Sequence, residues 1–271
     1  MIAHRPEDAK IIAALLPAGT PVYVSHLPRH TLEETFKALM GVADAGLEPV
    51  PHLAARRIAS REQATSFLER AVKLAGVRKV LLVAGDAPQV LGPYADGAAL
   101  LRERLLADCG VREVGLPGYP EGHPSIDTAH LDKALTEKLD LSAERGLGAF
   151  IVTQFSFAPI RIVEYCADLA RRAPNVPVYV GLAGPTNPRT LLRYANRCGV
   201  SASLRALAAQ GMGAVRLFTH TDPGEQLIAL AHHCLSGTAT NVVGAHLYSF
   251  GGVERTAAWM NRCITSRGHQ A

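Results

Sequence analysis

The sequence predicts an α/β protein of the (β/α)8 TIM-barrel class, and three observations carry that prediction. Short apolar runs alternate with longer segments of helical periodicity along most of the chain, the pattern of a parallel sheet wound by helices. The length, 271 residues, is close to the roughly 250 residues usual for such a barrel. No Gly-x-Gly-x-x-Gly follows the first strand, which disfavours the doubly wound dinucleotide-binding sheet, the main rival.

A short helix from Ala9 to Leu16 is closed by Pro17-Ala18-Gly19, and Pro21–His26 follows as the first strand, rich in β-branched residues. Thr31 is a fitting N-cap, with Glu33 and Glu34 in the first turn, where carboxylates suit the helix dipole. That helix stops at Gly46, and the strand Leu47–Leu53 presents His52 near its end. Ser60 caps a helix ending at Gly76, after which Lys79–Ala84 is a continuous apolar strand closing on Gly85-Asp86. The alternation continues with a helix over Gly97–Asp108, the strand Val111–Pro117, a helix over Asp127–Arg145 and the strand Ala149–Gln154. A helix over Ile160–Arg172 and the strand Val176–Leu182 come next. Beyond Arg189 the chain reads as mostly helical, with glycines near Gly211 and Gly213, before a last strand, Val242–Ser249, and a helix through Trp259. These are seven strands; an eighth is expected from around Gly213–Phe218 or from the N-terminus.

No linker or composition break divides the chain, so residues 1–271 read as one domain. Hydrophobic residues make up 48%, enough for a sizeable core, yet no apolar run approaches the ~20 residues of a membrane span. Met1–Asp8 has neither the basic region nor the apolar stretch of a signal peptide. Five cysteines, odd in number, stand far apart without a Cys-x-x-Cys pair, which predicts reduced, mostly structural thiols in a cytoplasmic protein. The formal charge of +4 is mild, its basic residues are spread out and only 6% of residues are aromatic, which argues against nucleic-acid binding and suits anionic small molecules. Adjacent His232 and His233 leave a helix in different directions, and no zinc spacing is present; no metal is expected. A Gly-x-Ser-x-Gly elbow and a phosphate-binding P-loop are both lacking. Oligomeric state is open, a homo-oligomer included.

In a barrel, chemistry sits at the C-terminal ends of the strands. There the chain offers Ser25 and His26, His52, Asp86, Tyr119 with Glu121 and His123, Gln154, and His246 with Tyr248. The densest stretch is Gly118-Tyr119-Pro120-Glu121-Gly122-His123-Pro124, a phenol, a carboxylate and an imidazole within five residues. Its prolines fix φ and its glycines allow close backbone approach. Each residue alone has a plainer explanation. Asp86 fits a turn initiator, His52 a satisfied core histidine, Gln154 a bond to neighbouring backbone; it is their shared position at strand ends that favours a site.

The ordered motifs resemble the methylenetetrahydrofolate reductase family. The resemblance rests on Gly46-Leu47-Glu48 through Pro51-His52-Leu53, Gly85-Asp86-x-Pro88, Tyr94-Ala95, the Tyr119–Pro124 segment, Lys138, Thr153-Gln154-Phe155-Ser156-Phe157 and His246-Leu247-Tyr248-Ser249. It implies an oxidoreductase interconverting 5,10-methylenetetrahydrofolate and 5-methyltetrahydrofolate with NADH or NADPH, through FAD or, as in some divergent relatives, by direct hydride transfer. Carried over position by position, it implies Ser25, His52, Asp86, Tyr94, Tyr119, His123, Asp132 and Lys138 as flavin-contacting. It implies Gln154 as pterin-binding and Phe155 and Phe157 as walls of the stacked rings. Asp86 would stabilise the iminium of the opening folate ring.

The family's first-strand glutamate has no counterpart here. Val22–Pro28 matches the second strand better, which implies an altered first strand, while a weaker alignment sets His26-Leu27-Pro28-Arg29 on the glutamate-bearing strand. His26 and Glu121 are then the candidate proton donors, Glu121 being the one more readily explained as a brace of its own loop. Ala84 also replaces an arginine usual before Gly-Asp. The alternative is a barrel that binds folate or flavin without catalysis and supports a partner enzyme.

Overall fold

A computed structural model of the chain describes residues 6–27, 30–200, 222–237 and 239–265. Among them, seven strands lie in chain order, β1-β2-β3-β4-β5-β6-β7. Their bounds are β1 Pro21–Val24, β2 Glu48–Ala54, β3 Lys79–Val83, β4 Glu113–Gly118, β5 Gly148–Thr153, β6 Val178–Ala183 and β7 Val242–Tyr248. Helices alternate with them: α1 Pro6–Leu15, α2 Leu32–Asp44, α3 Arg61–Ala75, α4 Gly97–Arg102, α5 Leu105–Asp108, α6 Thr128–Glu144, α7 Pro159–Arg172, α8 Pro188–Cys198, α9 Gly224–Leu235 and α10 Val253–Thr265. Parallel strands taken in chain order with intervening helices are the signature of the (β/α)8 class predicted from the sequence. The candidate eighth strand at Gly213–Phe218, its N-terminal alternative at residues 1–5, the glycines at 211 and 213, and Pro28 and Arg29 lie outside the described residues.

The chain forms two compact units, Met1–Pro117 with Lys133–Ala149, and Gly118–Asp132 with Phe150–Ala271. In the first, β1 pairs with β2, β2 with β3 and β3 with β4, all parallel. The helices begin where the sequence says they should. Thr31 closes a capping box on α2, its hydroxyl accepting from the Glu34 N–H while the Glu34 carboxylate accepts from the Thr31 N–H. Ser60 caps α3 through the Gln63 N–H, and Gly76 ends it in the left-handed conformation. The core is aliphatic: Val24, Leu39, Val50, Leu68, Val80 and Leu82 are fully buried.

Two expectations change here. β1 stops at Val24, leaving Ser25 and His26 on the loop beyond it. The helix expected over Gly97–Asp108 breaks at Glu103, whose backbone is extended. Arg145 explains the break: its guanidinium donates to the carbonyls of Leu101 (3.3 Å) and Arg102 (2.7 Å), satisfying the end of α4 in place of a further turn.

In the second unit β6 pairs with β7 in parallel over six positions, with a register shift at Val178/Tyr179. Thr153, at the end of β5, is pinned from both sides. Its hydroxyl accepts from the Gly181 N–H (2.8 Å) and its carbonyl from the Tyr248 hydroxyl (3.0 Å). A Cβ on Gly181 would lie 2.0 Å from the Thr153 carbonyl oxygen, so only glycine permits that approach. The core here is aromatic: Phe155, Phe157 and Phe250 pack with Leu191, Ala195 and Val200.

Candidate functional site

In the first unit, Ser25 is buried and His26 half-buried just past β1. His52 lies on β2, edge-on to the Tyr23 ring with centroids 6.0 Å apart. Its Nε2 is buried and has no hydrogen-bond partner. Burial, reinforced by the nearby charge of His26, pushes its pKa down to about 3. The ring is therefore neutral, and an unmet buried nitrogen is a costly feature that a polar ligand group would relieve.

Asp86 is exposed on the loop after β3, entered through Gly85 at φ +92°. Arg56 brackets this loop. Its N–H donates to the Ala84 carbonyl (3.0 Å), its carbonyl accepts from the Leu91 N–H (2.9 Å), and its guanidinium reaches the Ala87 carbonyl (3.3 Å). Tyr94 is enclosed, 1% exposed, with its hydroxyl donating to Glu103 at 3.2 Å. Burial, with the Glu103 charge, pushes that phenol up to about 12. Lys138 is half-buried alongside Gly97; burial lowers its pKa against the opposing pull of Asp96 and Glu137.

In the second unit the loop after β4 and the end of β5 come together. The Gln154 N–H donates to the Gly118 carbonyl at 2.8 Å. Gly118 has no room for a side chain, since a Cβ there would meet the Tyr165 hydroxyl at 2.9 Å and Ile151 at 3.0 Å. Tyr165 in turn receives a backbone hydrogen bond from Tyr119. The Gly122 N–H closes a turn on the Tyr119 carbonyl (3.0 Å) at φ +77°. That turn folds His123 back, edge-on to Tyr119 with centroids 5.4 Å apart.

His123 Nδ1 accepts from the Ser125 N–H at 3.2 Å, so the proton of the neutral ring sits on Nε2 and points a donor away from the loop. Burial lowers the His123 pKa, which favours that neutral form. It raises the Tyr119 phenol, as does the neighbouring Cys198. Glu121 is half-buried within the same loop. The Gln154 Oε1 accepts from the Phe155 N–H at 3.2 Å.

Other expected members sit elsewhere. Asp132 is paired with Arg172 at 3.0 Å. Phe155 is fully buried and Phe157 nearly so, their rings meeting each other at 5.6 Å and Phe155 meeting Phe250 at 5.1 Å; both belong to the core. His246 is buried on β7 with its ring against Tyr248, centroids 4.7 Å apart. Just past them, Ser156, Phe157, Leu191 and Gln226 line a cavity of about 20 Å³, room for one water. A larger cavity of about 550 Å³ lies between the loop after β6 and α10, lined by Thr186, Trp259 and Arg262 among others. Among the described residues no group of three or more His, Cys, Asp or Glu could hold a metal ion, and no helix is long and apolar enough to cross a membrane.

Sequence reasoning missed Arg56, Tyr165 and Cys198. Arg56 and Tyr165 belong to no motif. Cys198 had one usable signal, its place immediately before the helix-stopping Gly199.

The model of the methylenetetrahydrofolate reductase family matches residues 29–207. The chain is 29% identical over 159 residues to the 5,10-methylenetetrahydrofolate reductase of Pectobacterium carotovorum subsp. carotovorum. That match covers 57% of this chain and 50% of the relative, so the chain spans about half the length of the curated relative it matches. Among solved structures it is similar to an uncharacterised protein from Clostridium thermocellum that binds two copies of 5-methyl-5,6,7,8-tetrahydrofolic acid. The TM-score is 0.57 at 12% identity, over 94% of this chain and 98% of that one; the likeness is one of fold. A Xanthomonas albilineans dihydropteroate synthase superposes with TM-score 0.48 at 15% identity, over 98% of this chain and 85% of that one. The family match takes in α2 through α8, and with them His52, Asp86, the Tyr119–Pro124 loop and Gln154. The chain belongs to the methylenetetrahydrofolate reductase family.

Proposed function

We propose that the chain is an oxidoreductase interconverting 5,10-methylenetetrahydrofolate and 5-methyltetrahydrofolate, with NADH or NADPH as hydride partner. Family membership supports the reaction class, and folates are the ligands named for the Pectobacterium relative and for the Clostridium fold neighbour. The observation in the chain that carries the reading is the grouping after β4 and β5 of Tyr119 and His123, edge-on with centroids 5.4 Å apart, with Gln154, whose backbone N–H bonds to the Gly118 carbonyl beside Tyr119. Such groups recognise a heteroaromatic ring edge bearing both N–H and C=O.

In this reading Gln154 binds the pterin. Asp86, on the loop braced by Arg56, offers a carboxylate to the cationic iminium formed when the folate ring opens. His26 or Glu121 supplies the proton that the family's first-strand glutamate would give.

A flavin, when bound, would relay hydride between nicotinamide and folate. The fit of the chain to that group is partial. His52 Nε2, buried and unmet, suits a polar ring atom. Tyr94 and Asp132 do not, because their polar atoms are held by Glu103 and Arg172. Lys138, its charge partly desolvated, suits a phosphate oxygen. Direct transfer from the nicotinamide therefore stands beside the flavin route.

The test is the absorbance of the purified protein in the flavin bands, followed by NADH and NADPH oxidation with 5,10-methylenetetrahydrofolate. Yellow protein with turnover supports the flavin route, and colourless protein with turnover supports direct transfer. No turnover in either direction, with and without added FAD, overturns the enzyme reading. It would favour a folate-binding protein without catalysis, a second reading motivated by β1, which bears no carboxylate.

A further inference from the structure

The carbonyl of Thr153 and the N–H of Gln154 belong to one peptide group, and that group is held at both ends. Its oxygen accepts from the Tyr248 hydroxyl at 3.0 Å, and its N–H donates to the Gly118 carbonyl at 2.8 Å. A peptide unit is planar, so two bonds on opposite edges fix how the plane is turned. That plane leads straight into the Gln154 Cα. On the far side of the same Cα the Phe155 N–H is held to Gln154 Oε1 at 3.2 Å, and the Phe155 ring is anchored in the aromatic core. With the planes before and after it held, the direction of the Gln154 side chain is set by the fold.

The ordinary strand ladder does not supply the Tyr248 bond. β5 pairs with β6 where Ile151 lies opposite Val178 and Val152 opposite Tyr179. One position on, the Thr153 hydroxyl takes the Gly181 N–H at 2.8 Å, and the Thr153 carbonyl is met by a side chain instead. Tyr248 comes from β7, where it lies opposite Ala183 of β6, so its phenol crosses β6 to reach β5. Gly181 permits the crossing: a Cβ there would lie 2.8 Å from Tyr248 Cε2 and 2.0 Å from the Thr153 oxygen. Ring contacts hold the phenol on this course, edge-on to His246 with centroids 4.7 Å apart and parallel to Phe250 at 5.9 Å.

We propose that Tyr248 is a positioning residue whose hydroxyl fixes the Thr153–Gln154 peptide and thereby holds the Gln154 carboxamide in the direction that meets the ligand ring. Such preorganisation raises affinity by removing motion that binding would otherwise have to freeze. The inference deepens the folate reading and rests on it for the identity of the ring.

The experiment measures calorimetric affinity for 5-methyltetrahydrofolate in the full chain. Tyr248→Phe, which removes one oxygen and keeps the ring, weakens binding about tenfold, the scale of one lost hydrogen bond. A protein with 4-aminophenylalanine in place of Tyr248, which keeps a donor, stays within roughly threefold of wild type. In a Gln154→Ala background Tyr248→Phe brings no further loss. Wild-type affinity in Tyr248→Phe, an equal loss with and without Gln154, or a 4-aminophenylalanine protein as weak as Tyr248→Phe overturns the proposal.

A ligand-free readout separates this from the folate reading. In Tyr248→Phe the backbone amide resonance of Gln154 moves and its exchange with solvent speeds up, while the Gly181 amide, bonded to the Thr153 hydroxyl, keeps its protection. Equal loss of protection at both amides means general loosening and overturns the proposal. The Gln154 amide also moves, by less, in the 4-aminophenylalanine protein; an unmoved resonance there overturns the proposal even where Tyr248→Phe fails to fold. A wild-type protein that ignores 5-methyltetrahydrofolate while these resonances move supports the positioning role and overturns the folate reading.

Discussion

His52 shows how a single residue can couple the candidate site to stability. Its ring is held neutral by burial, with a folded pKa of about 3 against 6.5 in the open chain. Between those values the unfolded chain binds the extra proton and the folded one does not. The stability this residue contributes is therefore present above pH 6.5 and is lost as pH falls toward 3. The slope is at most about 1.4 kcal/mol per pH unit for one proton. Comparing urea unfolding of wild type and His52→Asn at pH 7, 5.5 and 4.5 isolates that proton, because the other histidines titrate in both proteins. The wild-type advantage is expected to shrink as pH falls; an advantage that stays flat means that His52 is not buried neutral. Binding works in the same direction, since a ligand acceptor or donor at Nε2 meets a nitrogen that has no partner.

At the scale of elements, two helix ends of the same conformation separate a backbone requirement from a packing one. Gly76 ends α3 at φ +68° with nothing within 4 Å of a Cβ placed there, whereas Gly199 ends α8 at φ +75° with Pro124 Cδ at 2.5 Å. Gly76→Ala therefore meets only the left-handed penalty, about 1 kcal/mol. Gly199→Ala meets that penalty and a clash with a proline ring that cannot swing aside, about 1–3 kcal/mol more. Thermal denaturation of the two variants reads the difference. The loop over Tyr119–Pro124 should shift only in Gly199→Ala, seen as altered Tyr119 ring resonances. Equal losses in the two variants would mean that α8 does not bear on the loop. The same reasoning explains why the break in the expected Gly97–Asp108 helix was hidden from the sequence. The group that ends α4 is Arg145, 43 residues away from Arg102 along the chain, and no local propensity records it.

For the whole molecule, what was legible follows from what is periodic. Seven strands and nearly every helix could be placed because burial on both faces of a parallel sheet leaves apolar runs, and because Thr31, Ser60, Gly46 and Gly76 punctuate them. The polar strand-end residues could be found for the same reason, as Tyr119, His123 and Gln154 interrupt those runs. Phe155 and Phe157, expected as walls of a bound ring, are part of the aromatic core, a packing role that an aromatic residue after a strand does not announce in sequence. Cys198 was passed over because a thiol in sequence looks like a small core filler. The expectation of reduced thiols can be tested on the intact chain. All five cysteines are free, so denatured, unreduced protein should take up five alkyl groups by mass spectrometry, and reductant should leave the melting temperature unchanged. In the native protein the order of labelling should follow burial. Cys166, fully buried on α7, has its pKa pushed up to about 12 by desolvation and by nearby Cys234, so almost none of it is thiolate near neutrality and it should react last. Fewer than five adducts without reductant would reveal a disulfide and overturn the reduced-thiol expectation; early labelling of Cys166 would instead mean that α7 opens well before the molecule unfolds.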